Sequence, residues 1–334
     1  MNREKWIDIA KGLSILLVVI GHWGHLEINH FLAWFRMPFF FFVSGLIFKY
    51  VAKERYLLWS KKQVLQLMVP YLSYGILFIF IFYPFNPTSA YLIDTTYNFL
   101  YGGMVLKGAH TIFWFITCLL LTRLLFGFLL RYALSIQFII IGSGYLLSHL
   151  LAVYYPNFSF PWNADVAFVT LGYFACGYYM KSIITKWITS KRIIVTCLFI
   201  WFAFMGLDVS GILRYTLDLK YRIYEHMLLD LLVPISIVLV VLSVCYFLAK
   251  TTLFDWITKL GESTATIMYL HVPLNMLVVL LIDYQYEFIL YTVIGISIPL
   301  ILGYLLHSSS ILSFLFLGRI PVRHQNRKDN QHIS

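Results

Sequence analysis

Few ionisable side chains interrupt the long apolar runs of this 334-residue sequence, and those that do are of types that move protons or hold anions. The first run carries Asp8, Lys11 and His22, the second Arg36, and a late run His271. Ionisable groups inside a membrane are costly and mark functional positions by default. At about 100° per residue, Lys11 and His22 lie only about 20° off three full helical turns, and Asp8 about 40° off four, so the three share one stripe. At a rise of about 1.5 Å per residue, Lys11 and His22 stand about 16 Å apart along the axis. Imidazole titrates near neutral pH, so His22 can take the proton of a hydroxyl. Asp8 and Lys11 lie too far down the helix to orient its ring. Lys11 either contacts a charged substrate or pairs with Asp8. The plainer alternative has Asp8 and Lys11 paired at the headgroups and His22 capping the other end.

The second run reads Phe35-Arg36-Met37-Pro38-Phe39-Phe40-Phe41-Phe42-Val43-Ser44-Gly45. Proline in mid-helix frees backbone carbonyls, which buried or cavity-lining helices tolerate better than lipid-facing ones. Arg36 precedes Pro38, at a depth similar to His22, and needs a partner. His149 and Arg123 also fall inside runs, and a core hydrogen bond and snorkelling, respectively, account for them. No Ser sits in a GxSxG elbow and no Cys has nucleophile-like surroundings, so direct transfer chemistry is favoured and a transient covalent His22 adduct stays open. The four cysteines read as small core residues.

These residues need helices to position them. Hydrophobic residues make up 60% of the chain and charged residues 12%, about half the charge of a soluble domain. That excludes a soluble enzyme, a disordered protein and a secreted disulfide scaffold. The apolar runs are about 8–29, 31–50, 64–83, 111–130, 134–154, 164–180, 193–210, 228–249, 261–283 and 288–306, each near the length of a membrane span. They lack strand alternation. Residues 307–318 either extend the last span or form a short interfacial helix. The expected fold is an all-α polytopic membrane protein of about ten transmembrane helices over 1–320, with a basic tail at 321–334. The first run has no small-residue cleavage site and reads as a retained helix.

Of 25 Lys and Arg residues, Lys11, Arg36 and Arg123 lie inside runs, and Lys107, Arg214, Lys220 and Arg222 fall in the segments on one side; the other 18 fall on the opposite side. The positive-inside rule then puts both termini in the cytoplasm. The net charge of +10 therefore belongs to topology, and no nucleic-acid partner is expected. The segments 84–110, 155–163 and 211–227 are rich in aromatic residues, as interfacial anchors or a sugar-facing platform.

The stretch Asp8-Ile9-Ala10-Lys11-Gly12 through Gly21-His22, followed by Met37-Pro38 through Ser44-Gly45, resembles the acyltransferase-3 family of integral membrane acyltransferases. That family begins with a basic residue, ten intervening residues and a histidine, a spacing met by Lys11 and His22. Val69-Pro70-Tyr71, Trp114-Phe115, and Leu260-Gly261 leading to Tyr269-Leu270-His271 follow in the family's order, so the resemblance spans 8 to about 275. It implies a bacterial plasma-membrane enzyme with cytoplasmic termini. Its donor would be cytoplasmic acetyl-CoA, with no permanently bound cofactor, and its acceptor a sugar hydroxyl of a surface polysaccharide or a lipid-linked precursor. Many members have histidine where this chain has Arg36, so that histidine's role does not carry over. An added helix and a fused extracytoplasmic domain, found in some members, are not seen, so the acceptor is expected to meet the bundle or a partner.

On this footing His22 is the expected general base, with Arg36 steadying the oxyanion or the acceptor. Lys11, Asp8, Lys61 and Lys62 are expected at the acyl-CoA, with plain topology as the alternative for the last two. Trp114, Ser44 and His271 are expected to contact or support substrate. The oligomeric state, a homo-oligomer included, stays open. Two rivals also stay open: a secondary transporter of a sugar-lipid or ion, which predicts repeat symmetry that the sequence does not display, and a haem protein using His22, His25 and His271.

Overall fold

The computed structural model describes residues 4–24, 28–224, 226–283 and 287–320. The tail at 321–334 and His25 lie outside them. Among the described residues there are fourteen α-helices: α1 (Lys5–His22), α2 (Asn29–Leu46), α3 (Tyr56–Phe82), α4 (Ser89–Tyr101), α5 (Trp114–Leu129), α6 (Leu134–Tyr154), α7 (Val166–Met180), α8 (Ile184–Ile188), α9 (Lys191–Val209), α10 (Leu229–Leu248), α11 (Asp255–Glu262), α12 (Thr264–Ile282), α13 (Phe288–Leu306) and α14 (Ser310–Leu317). No strand occurs among them; a single antiparallel bridge joins Asp218 and Ile223.

Ten of these helices answer to the ten apolar runs. Seven (α3, α5, α6, α9, α10, α12 and α13) are long and apolar enough to cross a membrane by themselves. The other three are set apart by the features that make them interesting. α1 carries Lys5, Asp8 and Lys11, α2 carries Arg36, and α7 has only 15 residues. The remaining four helices are short or lie between spans. Within residues 307–318, Ser310–Leu317 form a separate helix, α14, which a break at His307–Ser309 divides from α13. α3 begins at Tyr56, eight residues before its apolar run, because polar residues prolong a helix into the headgroup layer as readily as apolar ones.

The helices sort into a centre and a rim. In α5 and α10, 72% and 61% of the apolar window is buried within the protein, against 6% for α9 and 17% for α13, which turn their sides to lipid. Backbones at the centre approach closely through small residues, as membrane interfaces favour. A Cβ on Gly45 of α2 would lie 1.9 Å from the Phe174 carbonyl oxygen, and one on Gly177 of α7 2.0 Å from that of Phe42. α1 is seated on α11 in the same way, where a Cβ on Gly12 would lie 2.0 Å from the Ile257 oxygen. Pro38 sits buried in α2, where the freed carbonyls face protein and not lipid.

The bundle has two chemically distinct ends. The basic face holds the start of α1 and the ends of α2 and α7, with Lys49 and Lys181. The opposite face holds the end of α1, the start of α2 and the segment between α9 and α10. Polar pins fix that segment. Arg222 Nε lies 2.6 Å from Asp165 Oδ2, with both side chains buried, and Asp208 accepts from the Tyr215 backbone N–H at 2.8 Å. Beside them, His149 is held between the Tyr145 carbonyl (2.9 Å) and Asp230 (3.2 Å), a core hydrogen-bonded role. Arg123 lies over the Phe48 ring, 5.9 Å from its centroid.

Candidate active site

His22 is the last residue of α1, and its ring is fixed from two sides. Its Nδ1 lies 2.8 Å from the Val18 carbonyl oxygen one turn earlier. An oxygen without a hydrogen can only accept, so Nδ1 carries the proton. The fully buried His271 on α12 repeats the motif, with Nδ1 donating to the Ile267 carbonyl at 2.8 Å. That leaves His271 Nε2 as an acceptor, and it lies 3.3 Å from His22 Nδ1. The rings meet edge to face, with centroids 4.9 Å apart. Two local carbonyls thus set both tautomers, and His22 Nε2 is left as an unprotonated lone pair.

His22 lines a cavity of about 220 Å³ at the opposite face, with Gly21, Arg36, Trp114, Thr111, Asp218, Lys220 and Tyr221. The Arg36 guanidinium lies where a Cβ on Gly21 would be, 1.2 Å from Nη1, so glycine before His22 makes room for the cation from α2. Arg36 Nε and Nη1 are buried without a hydrogen-bond partner. The Asp218 carboxylate attracts Arg36, but accepts instead from the Tyr221 backbone N–H at 3.1 Å. Lys220 donates to the Leu106 carbonyl (2.8 Å), Thr111 Oγ1 (2.6 Å) and Tyr221 Oη (3.4 Å), clamping the α9–α10 segment over the cavity. Burial brings the Lys220 ammonium down to about 8, against the pull of Asp218. Burial pushes the Asp218 carboxyl up from its ordinary value, against hydrogen bonds from its own turn and attraction by Arg36.

Asp8 and Lys11 line a second cavity, of about 390 Å³, at the basic face, with Lys49, Lys181, Leu46 and Ile184. Lys11 donates to Asp8 Oδ1 at 3.3 Å, and Lys181 to the Phe48 carbonyl at 3.4 Å. The stripe predicted on α1 therefore exists, but packing divides it. Ile15, Val18 and Val19, between its two ends, are at most 1% exposed. On its flank, Ser14 Oγ is buried with no partner. A further cavity, of about 730 Å³, lies between α9 and α10; its walls are mainly apolar and it holds none of the candidate residues.

Of the residues singled out in the sequence, the structure brings together His22, Arg36 and Trp114 at one cavity, with His271 buried behind His22, and Asp8 and Lys11 at the other. Lys61 and Lys62 are exposed on α3 and line neither. Ser44 lines neither, lying eight residues below Arg36 on α2. Sequence reasoning missed Asp218 and Lys220, whose segment reads as an ordinary charged loop, and Lys49 and Lys181, which look like topology signals. Only contact with the cavities singles them out.

A sequence model described as an acyltransferase domain, of the type Acyl_transf_3, matches residues 4–308 of this chain. Neither a curated protein nor a solved structure matches it.

Proposed function

The chain belongs to the acyltransferase-3 family and is a membrane acyltransferase; from that premise we propose that it moves an acetyl group from cytoplasmic acetyl-CoA to a sugar hydroxyl of a cell-surface polysaccharide or its lipid-linked precursor. The observation that carries this is the His22 lone pair, held by Val18 and His271 beside a buried cation. In this reading the basic face is cytoplasmic, both termini lie there, and the membrane is a bacterial plasma membrane.

The chemistry follows from the geometry. The acceptor hydroxyl gives its proton to His22 Nε2 as its oxygen bonds to the thioester carbonyl carbon. The charge gained by the imidazole is spread toward His271 Nε2 and the Val18 carbonyl, which already accept from Nδ1. Negative charge develops on the carbonyl oxygen, and the Arg36 guanidinium is the nearest preorganised donor for it. The tetrahedral carbon then expels the thiolate of coenzyme A, which takes the proton back from His22. Trp114 and Tyr221 supply flat apolar walls for a sugar ring.

The donor's phosphates suit the cavity with Lys11, Lys49 and Lys181, where charge-assisted hydrogen bonds are strong. Lys61 and Lys62, exposed nearby in sequence, serve at most as outer charge partners. The pantetheine arm bridges the roughly 16 Å between Lys11 and His22, so packing around Val18 must part to admit it. Ser14 Oγ, with no partner in the protein, is a polar contact on that path.

The test uses inverted membrane vesicles given radiolabelled acetyl-CoA, with and without the host's glycan acceptor. Label should enter glycan with wild type and be lost in a normally inserted His22→Ala variant. Wild type that transfers neither acetyl nor succinyl label to a verified acceptor would sink the proposal and turn attention to transport.

A further inference from the structure

The cavity beside His22 is unbalanced in charge. Arg36 and Lys220 line it as cations and Asp218 as the carboxylate, while the histidines His22 and His271 use their Nδ1 protons on backbone carbonyls. Asp218 does not neutralise Arg36. No ion pair within 4.0 Å joins them, and the Asp218 carboxylate is turned to the Tyr221 N–H of its own turn. Arg36 Nε and Nη1 are left buried without an acceptor. A cation held in a low-dielectric site without a hydrogen-bonded counter-ion is costly, and is retained where something supplies the missing partner. Lys220 cannot swing across to relieve the imbalance, because its donors are committed to Leu106, Thr111 and Tyr221. Its charge nonetheless adds to the field in the cavity. The field has the wrong sign for attracting a cation, and a neutral sugar would use it only for the transient oxyanion, leaving the resting guanidinium without a partner.

We infer that this cavity binds an anionic group, a carboxylate or a phosphate, carried by the acceptor close to the hydroxyl that is acylated, with the Arg36 guanidinium as its hydrogen-bonding partner. The word acceptor rests on the transferase proposal above; the anion site itself rests on the charges and their geometry. Guanidinium suits the task because its planar fork meets carboxylate or phosphate oxygens in pairs. Lys220 acts as a positioning residue and a long-range charge. Asp218 opposes the anion, and so keeps the site from holding one too tightly to release.

The test is a ligand-observed NMR titration of the purified full chain in detergent at pH 7, with three probes: methyl glucoside, methyl glucuronide and methyl glucoside 6-phosphate. Wild type should bind at least one charged probe about tenfold or more tightly than the neutral one, and which one separates a carboxylate from a phosphate. In Arg36→Gln that ratio should fall toward one, and Arg36→Lys should recover part of it. Asp218→Asn keeps an oxygen for the Tyr221 N–H and should raise affinity for the charged probes several-fold, not for the neutral one. If Arg36→Gln fails to fold, the Asp218→Asn result decides. Equal binding of all three probes by wild type, or a ratio unchanged in Arg36→Gln and Asp218→Asn, would overturn the inference. Vesicles that transfer no label while the protein prefers charged probes would remove the transferase reading and leave the anion site; transfer without any such preference does the reverse.

Discussion

His271 Nε2 lies 3.3 Å from His22 Nδ1 and joins two helices whose residues are 249 positions apart in the chain. In the proposed reaction the contact turns a lone histidine into a supported base. It should be visible in kinetics, because an acceptor at His22 Nδ1 counts for most when His22 becomes charged. His271→Asn is expected to lower kcat by about tenfold or more with little change in the KM for acetyl-CoA, whereas His22→Ala should cost about a hundredfold or more. Equal KM and kcat effects in His271→Asn would make it a packing residue.

Gly21 separates position from presence. A Cβ there would collide with Arg36 Nη1 at 1.2 Å, but Nη1 is the end of a flexible side chain, so it moves and the fold survives. Gly21→Ala should therefore insert and elute like wild type, yet transfer more slowly, by about tenfold. Gly45→Ala differs, because its Cβ would meet the Phe174 backbone oxygen at 1.9 Å. That should destabilise the α2–α7 contact by about 1–3 kcal/mol, seen as a lower melting temperature in detergent.

The basic-face cavity and the exposed α3 lysines make competing claims on the donor. Lys11→Gln, Lys49→Gln or Lys181→Gln should raise the KM for acetyl-CoA several-fold with kcat nearly constant. Lys61→Gln and Lys62→Gln should have smaller effects that vanish at high salt, since exposed charges are screened. The opposite ranking would move the donor site to α3.

Lys220 gives a pH signature with two signs. Burial brings its ammonium from 10.5 to about 8, and the groups around it are Asp218, Lys107 and the Tyr221 hydroxyl. Below about pH 8 the cation is present, and above it the charge is lost, so preference for a charged probe should decline as pH rises through 8. Stability goes the other way. Between about 8 and 10.5 the unfolded chain binds more protons than the folded one, so this group makes the fold more stable as pH rises through that window. Charged-probe affinity measured from pH 7 to 9.5, beside Lys220→Met, checks the first sign. A flat profile in wild type would remove Lys220 from the field of the cavity.

Composition and periodicity carried the class of fold and the outline of one candidate site. In a solvent without hydrogen-bonding partners a chain can span only as helices or a closed barrel, and ten apolar runs of about 20 residues without strand alternation leave helices. The angular repeat of the helix put Lys11 and His22 on one stripe whatever surrounds them, and Arg36 before Pro38 marked a buried second helix. What the sequence did not carry was distance across the bundle. Helix periodicity relates residues on one helix and is silent about which faces meet. The pairing of His22 with His271, and the nesting of Arg36 against Gly21, were decided by how α1, α2 and α12 pack. So was the division of the α1 stripe into two cavities, by the buried Val18. The loop residues Asp218 and Lys220 were least legible, because a charge between spans looks the same whether it faces water or folds back. Only the pins at Asp165, Leu106 and Thr111 turn that segment inward and make its charges part of the site.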